Sequence, residues 1–281
     1  LFVNEYFYSK TNEMKITLIG CGNMGMVYAR AFLRYKFVLP ENLLLVEKSQ
    51  SRKDELIRLK LGAVVTPSDP SIRNSDILIL AVKPQDFKEL AQDLRAVLNP
   101  ATILLTIMAG IKIERIEEIL EHSSIVRAMP NSPVEIGMGI TGFCANKNLG
   151  VDQIRKVENL LATTGRTVYF EDESMLDAVT ALSGSGPAYF FYLVKSMIEA
   201  GKQMGMDEAV ASMLVKQTML GAFHLINNAN KSLDDLIKTV SSKGGTTEAA
   251  FQVFEKNKIA LHLAEGIRSA ENRAKELSSN S

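Results

Sequence analysis

Hydrophobic and polar positions change their period near the middle of the chain. As far as about residue 170, short apolar runs alternate with stretches of helical spacing; beyond residue 174 only helical spacing remains. Runs at 15–19, 43–46, 63–66, 76–82 and 102–107 read as strands, and the unbroken ones as strands buried on both faces of a parallel sheet. Helical spacing lies between them, through Val27, Ala31 and Leu33 and again at 87–98 and 113–120. A strand at 124–127, a loop at 128–133, and edge strands at 139–145 and 167–170 around a helix at 151–163 complete the pattern. The class is α/β: a Rossmann-like domain over residues 14–172, followed by an all-helical domain over 173–281. In the second part helices are expected at 176–182, from Tyr189 through Leu193, Met197 and Ala200, and at 207–225, 233–239, 248–254 and 259–277.

The polar interruptions carry the chemistry. The first strand ends at Ile19 and runs into Gly20, Cys21, Gly22, Asn23, Met24 and Gly25 before a helix. Strand, glycine turn and helix together are the context a GxGxxG pattern needs to indicate a dinucleotide. Gly20 suits the tight turn, Gly22 the approach of a pyrophosphate, and Gly25 the packing of helix on strand. The second strand ends in Glu47, Lys48 and Ser49. Glu47 stands where an acid holds ribose hydroxyls, which favours NAD; Lys48, Ser49, Arg52 and Lys53 suit a 2′-phosphate, which favours NADP. Arg52 and Lys53 also read as a solvated helix start. The fourth strand ends in Ala81, Val82, Lys83 and Pro84, and the fifth in Ile107, Met108, Ala109 and Gly110, at the edge where ligands of doubly wound sheets bind.

Two further stretches lie in the second half. Ser183-Gly184-Ser185-Gly186-Pro187 lacks both the lysine and the preceding strand of a phosphate loop, and reads as a kink and packing site. Val240 to Ala250 is polar and glycine-rich between two helical patterns, with Ser242, Gly244, Gly245, Thr246 and Thr247 in sequence. A helix starting near Thr246 would direct free N–H groups and the positive end of its dipole forward, which suits a small anion. A loop with a good N-cap is the plainer alternative.

Composition narrows the field. The formal charge is zero, with 32 basic and 32 acidic residues, so no field for nucleic acid is implied. Cys21 and Cys144 are too few for a disulfide framework and lack metal-ligand spacing, which fits a reducing, cytoplasmic setting. His122, His224 and His262 are isolated and read as surface or interface residues, so no metal site is expected. No apolar run looks long enough for a membrane span. Residues 1–13 show no signal-peptide pattern. With Met14 directly before the first strand, they read as an added remnant or an upstream extension of the reading frame, an ordered extra strand being the alternative.

Taken in order, the glycine turn at 20–25, Ala81-Val82-Lys83-Pro84, the stretch 178–189 containing Leu182-Ser183-Gly184-Ser185-Gly186-Pro187-Ala188-Tyr189, and 240–250 strongly resemble pyrroline-5-carboxylate reductases. The likeness spans Met14 to about Leu277. It implies an NADPH- or NADH-dependent reductase of a cyclic imine in proline biosynthesis, active as a homodimer or larger assembly of interlocking C-terminal helices. By resemblance, cofactor contacts fall on Ile19 to Met24, Lys48, Ser49, Ala81 to Pro84 and Ile107 to Ala109. Substrate contacts fall on Glu173, Val240, Ser242, Gly245, Thr246 and Thr247. The family commonly has Asn near the adenosine where this chain has Ser68, a departure at a cofactor contact.

The expected reaction passes hydride to the C=N carbon of 1-pyrroline-5-carboxylate. A protonated imine is already electrophilic, so orientation matters more than a strong acid. Thr247 is the candidate catalytic hydroxyl for the ring nitrogen, with N-capping of the next helix as its other role. Two rivals stand beside this. One is a related imine or β-hydroxyacid oxidoreductase, which would place a lysine such as Lys195 in the helical domain. The other is a non-catalytic NAD(P)-binding regulator, which has no need of an anion-binding helix start.

Overall fold

The structure is a computed structural model that describes residues 14–279; the expectation for residues 1–13 lies outside the described residues. Eight strands form one sheet: β1 (Ile16–Ile19), β2 (Leu43–Val46), β3 (Ala63–Val65), β4 (Ile77–Leu80), β5 (Ile103–Thr106), β6 (Ile125–Met129), β7 (Gly139–Ala145) and β8 (Gly165–Tyr169). Their order is β3-β2-β1-β4-β5-β6-β7-β8. Strands β1 to β6 are parallel, β7 runs antiparallel to β6, and β8 is parallel to β7. The order reverses between β1 and β4, so the crevice for a ligand opens beyond their carboxyl ends.

Helices cover both faces, which is why the central strands are apolar without alternation. On one face α1 (Asn23–Arg34), α2 (Gln50–Leu59) and α5 (Val151–Leu161) bring Tyr28, Phe32, Leu56, Val157 and Leu160 onto Leu18, Leu45 and Ile79. On the other, α3 (Phe87–Val97), α4 (Ile113–Leu120) and the short α6 (Met175–Val179) bring Phe87, Leu94, Ile116 and Leu176 onto Leu78, Leu80 and Leu104. His122, expected at the surface, is buried at the end of α4, where Nε2 pairs with the Thr102 carbonyl at 2.8 Å. Burial lowers its pKa.

The described chain divides into two compact units, one of residues 14–185 with 270–279 and one of residues 186–269. The expected boundary at 172/173 falls earlier than this division, because Leu176 and Val179 of α6 join the core beneath the sheet. Residues 270–279 group with the first unit, where Ala274 and Ser278 are buried. The glycine-rich run after α6 forms a π-turn over Thr180–Gly184, closed by Ser185 N–H donating to the Thr180 carbonyl at 2.9 Å.

The second unit is helical: α7 (Gly186–Gln203), α8 (Glu208–Asn228), α9 (Leu233–Val240), α10 (Thr246–Lys256) and most of α11 (Ile259–Ser279). Asp207 caps α8 by accepting the N–H groups of Ala209 and Val210, and Ser232 caps α9 by accepting that of Asp235. A β-carbon on Gly201 would lie 2.9 Å from Ala211 Cβ, so α7 and α8 meet at two small residues. By length and composition α8 is a candidate to cross a membrane, which corrects the expectation that no apolar run has that length; Glu208 and Lys216 are its only charged residues. Phe190, Phe191, Tyr192, Met213, Leu220 and Phe223 leave apolar surface exposed on α7 and α8.

Candidate active site

At the crevice the ends of three strands are stitched together. Ala81 N–H donates to the Ile19 carbonyl at 2.8 Å, and Ile107 N–H to the Leu80 carbonyl at 3.0 Å. This brings Ile19 to Met24, Ala81 to Pro84 and Ile107 to Ala109 to one sheet edge. Gly20 adopts φ +97°, and a β-carbon there would lie 2.6 Å from the Ala81 backbone. Gly25 leaves equally little room, since its β-carbon would meet the Gly20 carbonyl at 2.1 Å. Gly22 differs: a β-carbon there meets no atom within 4 Å. The first and last glycines thus serve the fold, while the middle one leaves open a cradle at the start of α1. A dinucleotide phosphate fits such a place, with N–H groups and a helix dipole facing it.

Not every residue expected to meet the cofactor offers its side chain. Ile19, Cys21 and Met108 are buried in the core, so only their backbone is available. Burial, with Glu47 adding to it and Arg52 opposing, pushes the Cys21 thiol up to about 12. Val82 packs on the core, Ala81 is half-buried, and Lys83, Pro84 and Ala109 are exposed.

After β2, Glu47 is turned onto its own loop. Its Oε1 accepts the N–H groups of Lys48 at 2.9 Å and Ser49 at 3.0 Å. Lys48 Nζ lies 3.2 Å from Glu89 Oε1, both exposed, and Ser49 Oγ pairs with Ser51 Oγ at 3.0 Å. Ser68 is exposed in the loop after β3. Arg52 is more than a solvated helix start: Nη2 donates to the Cys21 carbonyl at 2.7 Å. Beside it lies a groove of about 770 Å³, lined in part by Gly22, Asn23, Arg30, Arg52 and Glu55.

Glu173, expected to meet substrate, is engaged within the first unit. Its Oε1 accepts Arg127 Nη1–H at 2.7 Å and the N–H of Ile113, the first residue of α4, at 2.9 Å. Arg127 sits buried on β6 and its Nη2 lies 3.7 Å from Asp177 Oδ1. Ser278 Oγ in turn donates to Asp177 Oδ1 at 3.0 Å. Sequence reading passed over Arg127; an arginine inside an apolar strand was the available signal.

In the second unit, Val240 ends α9 and is exposed; Ser242 and Gly244 are exposed in the loop that follows. Gly244 takes φ +75°, and Gly245 N–H donates to the Ser242 carbonyl at 3.0 Å. Gly245 is the N-cap of α10, with no side chain to close the first turn. Thr246 and the half-buried Thr247 are the first two helical residues, so the alternative role of Thr247 as N-cap falls to Gly245. Glu248, which sequence reading also passed over, reaches back so that Oε2 accepts the Gly244 N–H at 2.7 Å. A capping-box glutamate would accept the N-cap N–H; here Gly245 N–H is taken by the Ser242 carbonyl, and Glu248 reaches one residue further back.

Comparison with known proteins gives this arrangement its context. Residues 173–277 match the model for pyrroline-5-carboxylate reductase dimerisation, and residues 15–110 that for coenzyme F420-dependent NADP oxidoreductase. A pyrroline-5-carboxylate reductase of Pseudomonas aeruginosa is 33% identical over 264 residues, 94% of this chain and 96% of that one. The solved pyrroline-5-carboxylate reductase of Coxiella burnetii has a TM-score of 0.85 at 32% identity, over 95% of this chain and 99% of that one. A Plasmodium falciparum pyrroline carboxylate reductase, solved with NADP bound, has a TM-score of 0.84 at 26% identity, over 95% and 99%. The cradle at Gly22 suits the nicotinamide cofactor of such an oxidoreductase. Likeness of this extent, carried through both the sheet and the helices, places the chain in the pyrroline-5-carboxylate reductase family.

Proposed function

We propose that this protein reduces 1-pyrroline-5-carboxylate to L-proline, the last step of proline biosynthesis, with NADPH as its preferred reductant. One observation carries the reading. A chain similar over nearly its whole length to pyrroline-5-carboxylate reductases has, behind Gly244, a helix start whose N-cap, Gly245, carries no side chain.

The bound nicotinamide supplies the hydride. The chain's own residues bind and orient the imine. Backbone N–H groups at the start of α10 hold the substrate carboxylate, its one permanent charge, through directed dipoles rather than a fixed arginine. Val240, Ser242, Gly244, Gly245 and Thr246 shape that loop. The Thr247 hydroxyl hydrogen-bonds the ring nitrogen, directly or through a water. An unperturbed hydroxyl is a poor acid, but a protonated imine needs no strong one.

NADPH is preferred over NADH because Glu47, the acid placed to chelate a ribose diol, spends one carboxylate oxygen on Lys48 and Ser49 N–H. Lys48 and Ser49 then face the 2′-phosphate. The exposed apolar residues of α7 and α8 become buried in a homodimer or larger assembly; the match of residues 173–277 to a dimerisation model supports this.

The test is loss of nicotinamide absorbance with pyrroline-5-carboxylate and with 1-pyrroline, each with NADPH and NADH. Omitting the carboxylate should cost about 2–4 kcal/mol in kcat/KM. Gly245→Val should cost a similar amount on the full substrate and little more on 1-pyrroline, since both changes remove one interaction. Equal losses on both substrates would make the loop a structural cap. Turnover absent with tight nucleotide binding would support a regulator instead.

A further inference from the structure

Cys21 stands between Gly20 and Gly22 of the turn and is tied from two sides. Its thiol faces the Val46 carbonyl at 3.7 Å, and its own carbonyl accepts Arg52 Nη2–H at 2.7 Å. Arg52 is partly buried on the first turn of α2, and Glu55, one turn further on, takes its other terminal nitrogen. The guanidinium is therefore held at one end and holds the glycine turn with the other.

The consequence is stereochemical. The peptide between Cys21 and Gly22 is trans, so the Cys21 carbonyl and the Gly22 N–H point to opposite sides of the chain. Whatever fixes the carbonyl fixes the direction of that N–H. Gly22 has no side chain to restrain it, and a β-carbon there would meet open space. A planar guanidinium with its far end clamped is well suited to set one peptide plane.

We propose that Arg52 is a positioning residue for the dinucleotide: through the Cys21 carbonyl it aims the Gly22 N–H at the cofactor's pyrophosphate, and Glu55 steadies it. This rests on the glycine turn being the dinucleotide site. It assigns Arg52 a task common to both nicotinamide cofactors, unlike a reader of the 2′-phosphate.

The test measures dissociation constants for NADPH, NADH and 2′-AMP by calorimetry, with circular dichroism and Tm as controls for folding. Arg52→Gln should weaken NADPH and NADH alike, by about 10-fold to 30-fold, the scale of one charged hydrogen bond. It should leave 2′-AMP, which lacks a pyrophosphate, within about 2-fold. Arg52→Lys, which keeps a cationic donor but not the two-ended fork, should recover only part of the loss, and Glu55→Gln should show a smaller loss of the same kind. Loss confined to NADPH and 2′-AMP would overturn the proposal in favour of direct 2′-phosphate contact. Unchanged affinities with a lowered Tm would reduce Arg52 to a structural ion pair. Gly22→Val separates the two readings: if it binds NADPH normally, the dinucleotide site itself is misplaced. If it abolishes binding while Arg52→Gln does not, only the role of Arg52 fails.

Discussion

Arg127 on β6 and Glu173 ahead of α6 form a largely buried ion pair, with Nη1 and Oε1 2.7 Å apart. The same carboxylate oxygen also accepts the first N–H of α4. Three elements of the first unit therefore meet on one oxygen. Removing the cation alone leaves Glu173 and Asp177 facing each other without a counter-charge. Arg127→Met should cost about 3–5 kcal/mol in urea unfolding. Replacing Glu173 and Arg127 together with apolar residues should cost less than the sum of the single changes.

The three glycines of the turn should separate by what they serve. Gly25→Val should fail to fold, since its β-carbon would overlap the Gly20 carbonyl. Gly22→Val should fold with unchanged far-UV circular dichroism yet lose NAD(P)H, because the branched side chain fills the cradle. Calorimetric titration of the purified variants checks both outcomes.

Thr247→Val removes the hydroxyl and keeps the shape. With Gly245 as N-cap, the change should cost less than about 0.5 kcal/mol in stability. It should lower kcat about 10-fold to 100-fold, while Thr247→Ser keeps most activity. A Thr247→Val enzyme with normal kcat would strip this hydroxyl of its chemical role.

Glu248 occupies Gly244 N–H with a carboxylate oxygen, in the loop proposed to hold the substrate's own carboxylate. Glu248→Ala should cost about 0.5–1 kcal/mol of stability as a lost cap. Glu248→Gln keeps an acceptor but drops the charge, so KM for pyrroline-5-carboxylate should fall while KM for 1-pyrroline stays level. Steady-state kinetics on both substrates reads this out.

Cys21 and Cys144 are both buried, and burial raises each thiol from about 9 to about 12. Between those values the folded chain keeps protons that the unfolded chain releases. Their contribution to stability is fully present below about pH 9 and is lost as pH rises toward 12. Tyr28, also raised by burial, acts in the same direction. Urea midpoints should therefore drop between about pH 8 and about pH 10, and less so after Cys21→Ala with Cys144→Ala. Neither thiol should react with iodoacetamide in the folded protein at neutral pH.

Hydrophobic period was enough to locate every strand and most helices to within about three residues, though it set no bounds for α1 or α2, because strands buried on two faces and helices buried on one leave different spacings. It placed β2 at 43–46, β7 at 139–145 and α4 at 113–120, where the structure has them. The glycine turn was legible for the same local reason: steric limits on Gly20 and Gly25 act between strand, turn and helix that adjoin in sequence. The burial of His122 was not, since its partner Thr102 comes from another element.

What the sequence determined by itself is the order of elements, the α/β class, the glycine turn after β1 and the polar helix start of α10, each set by residues close together in the chain. Tertiary structure alone decided how side chains are spent. Glu47 reads as a ribose ligand until its carboxylate is seen on Lys48 and Ser49 N–H. Glu173 is expected at the substrate from resemblance alone, and nothing local shows that Arg127, 46 positions away, donates to one of its oxygens. Arg52 reads as a solvated cation until it reaches a carbonyl 31 positions back. Charged groups bond whatever folding brings within reach, and that distance is set by the packing of the sheet and its helices, which no local spacing encodes.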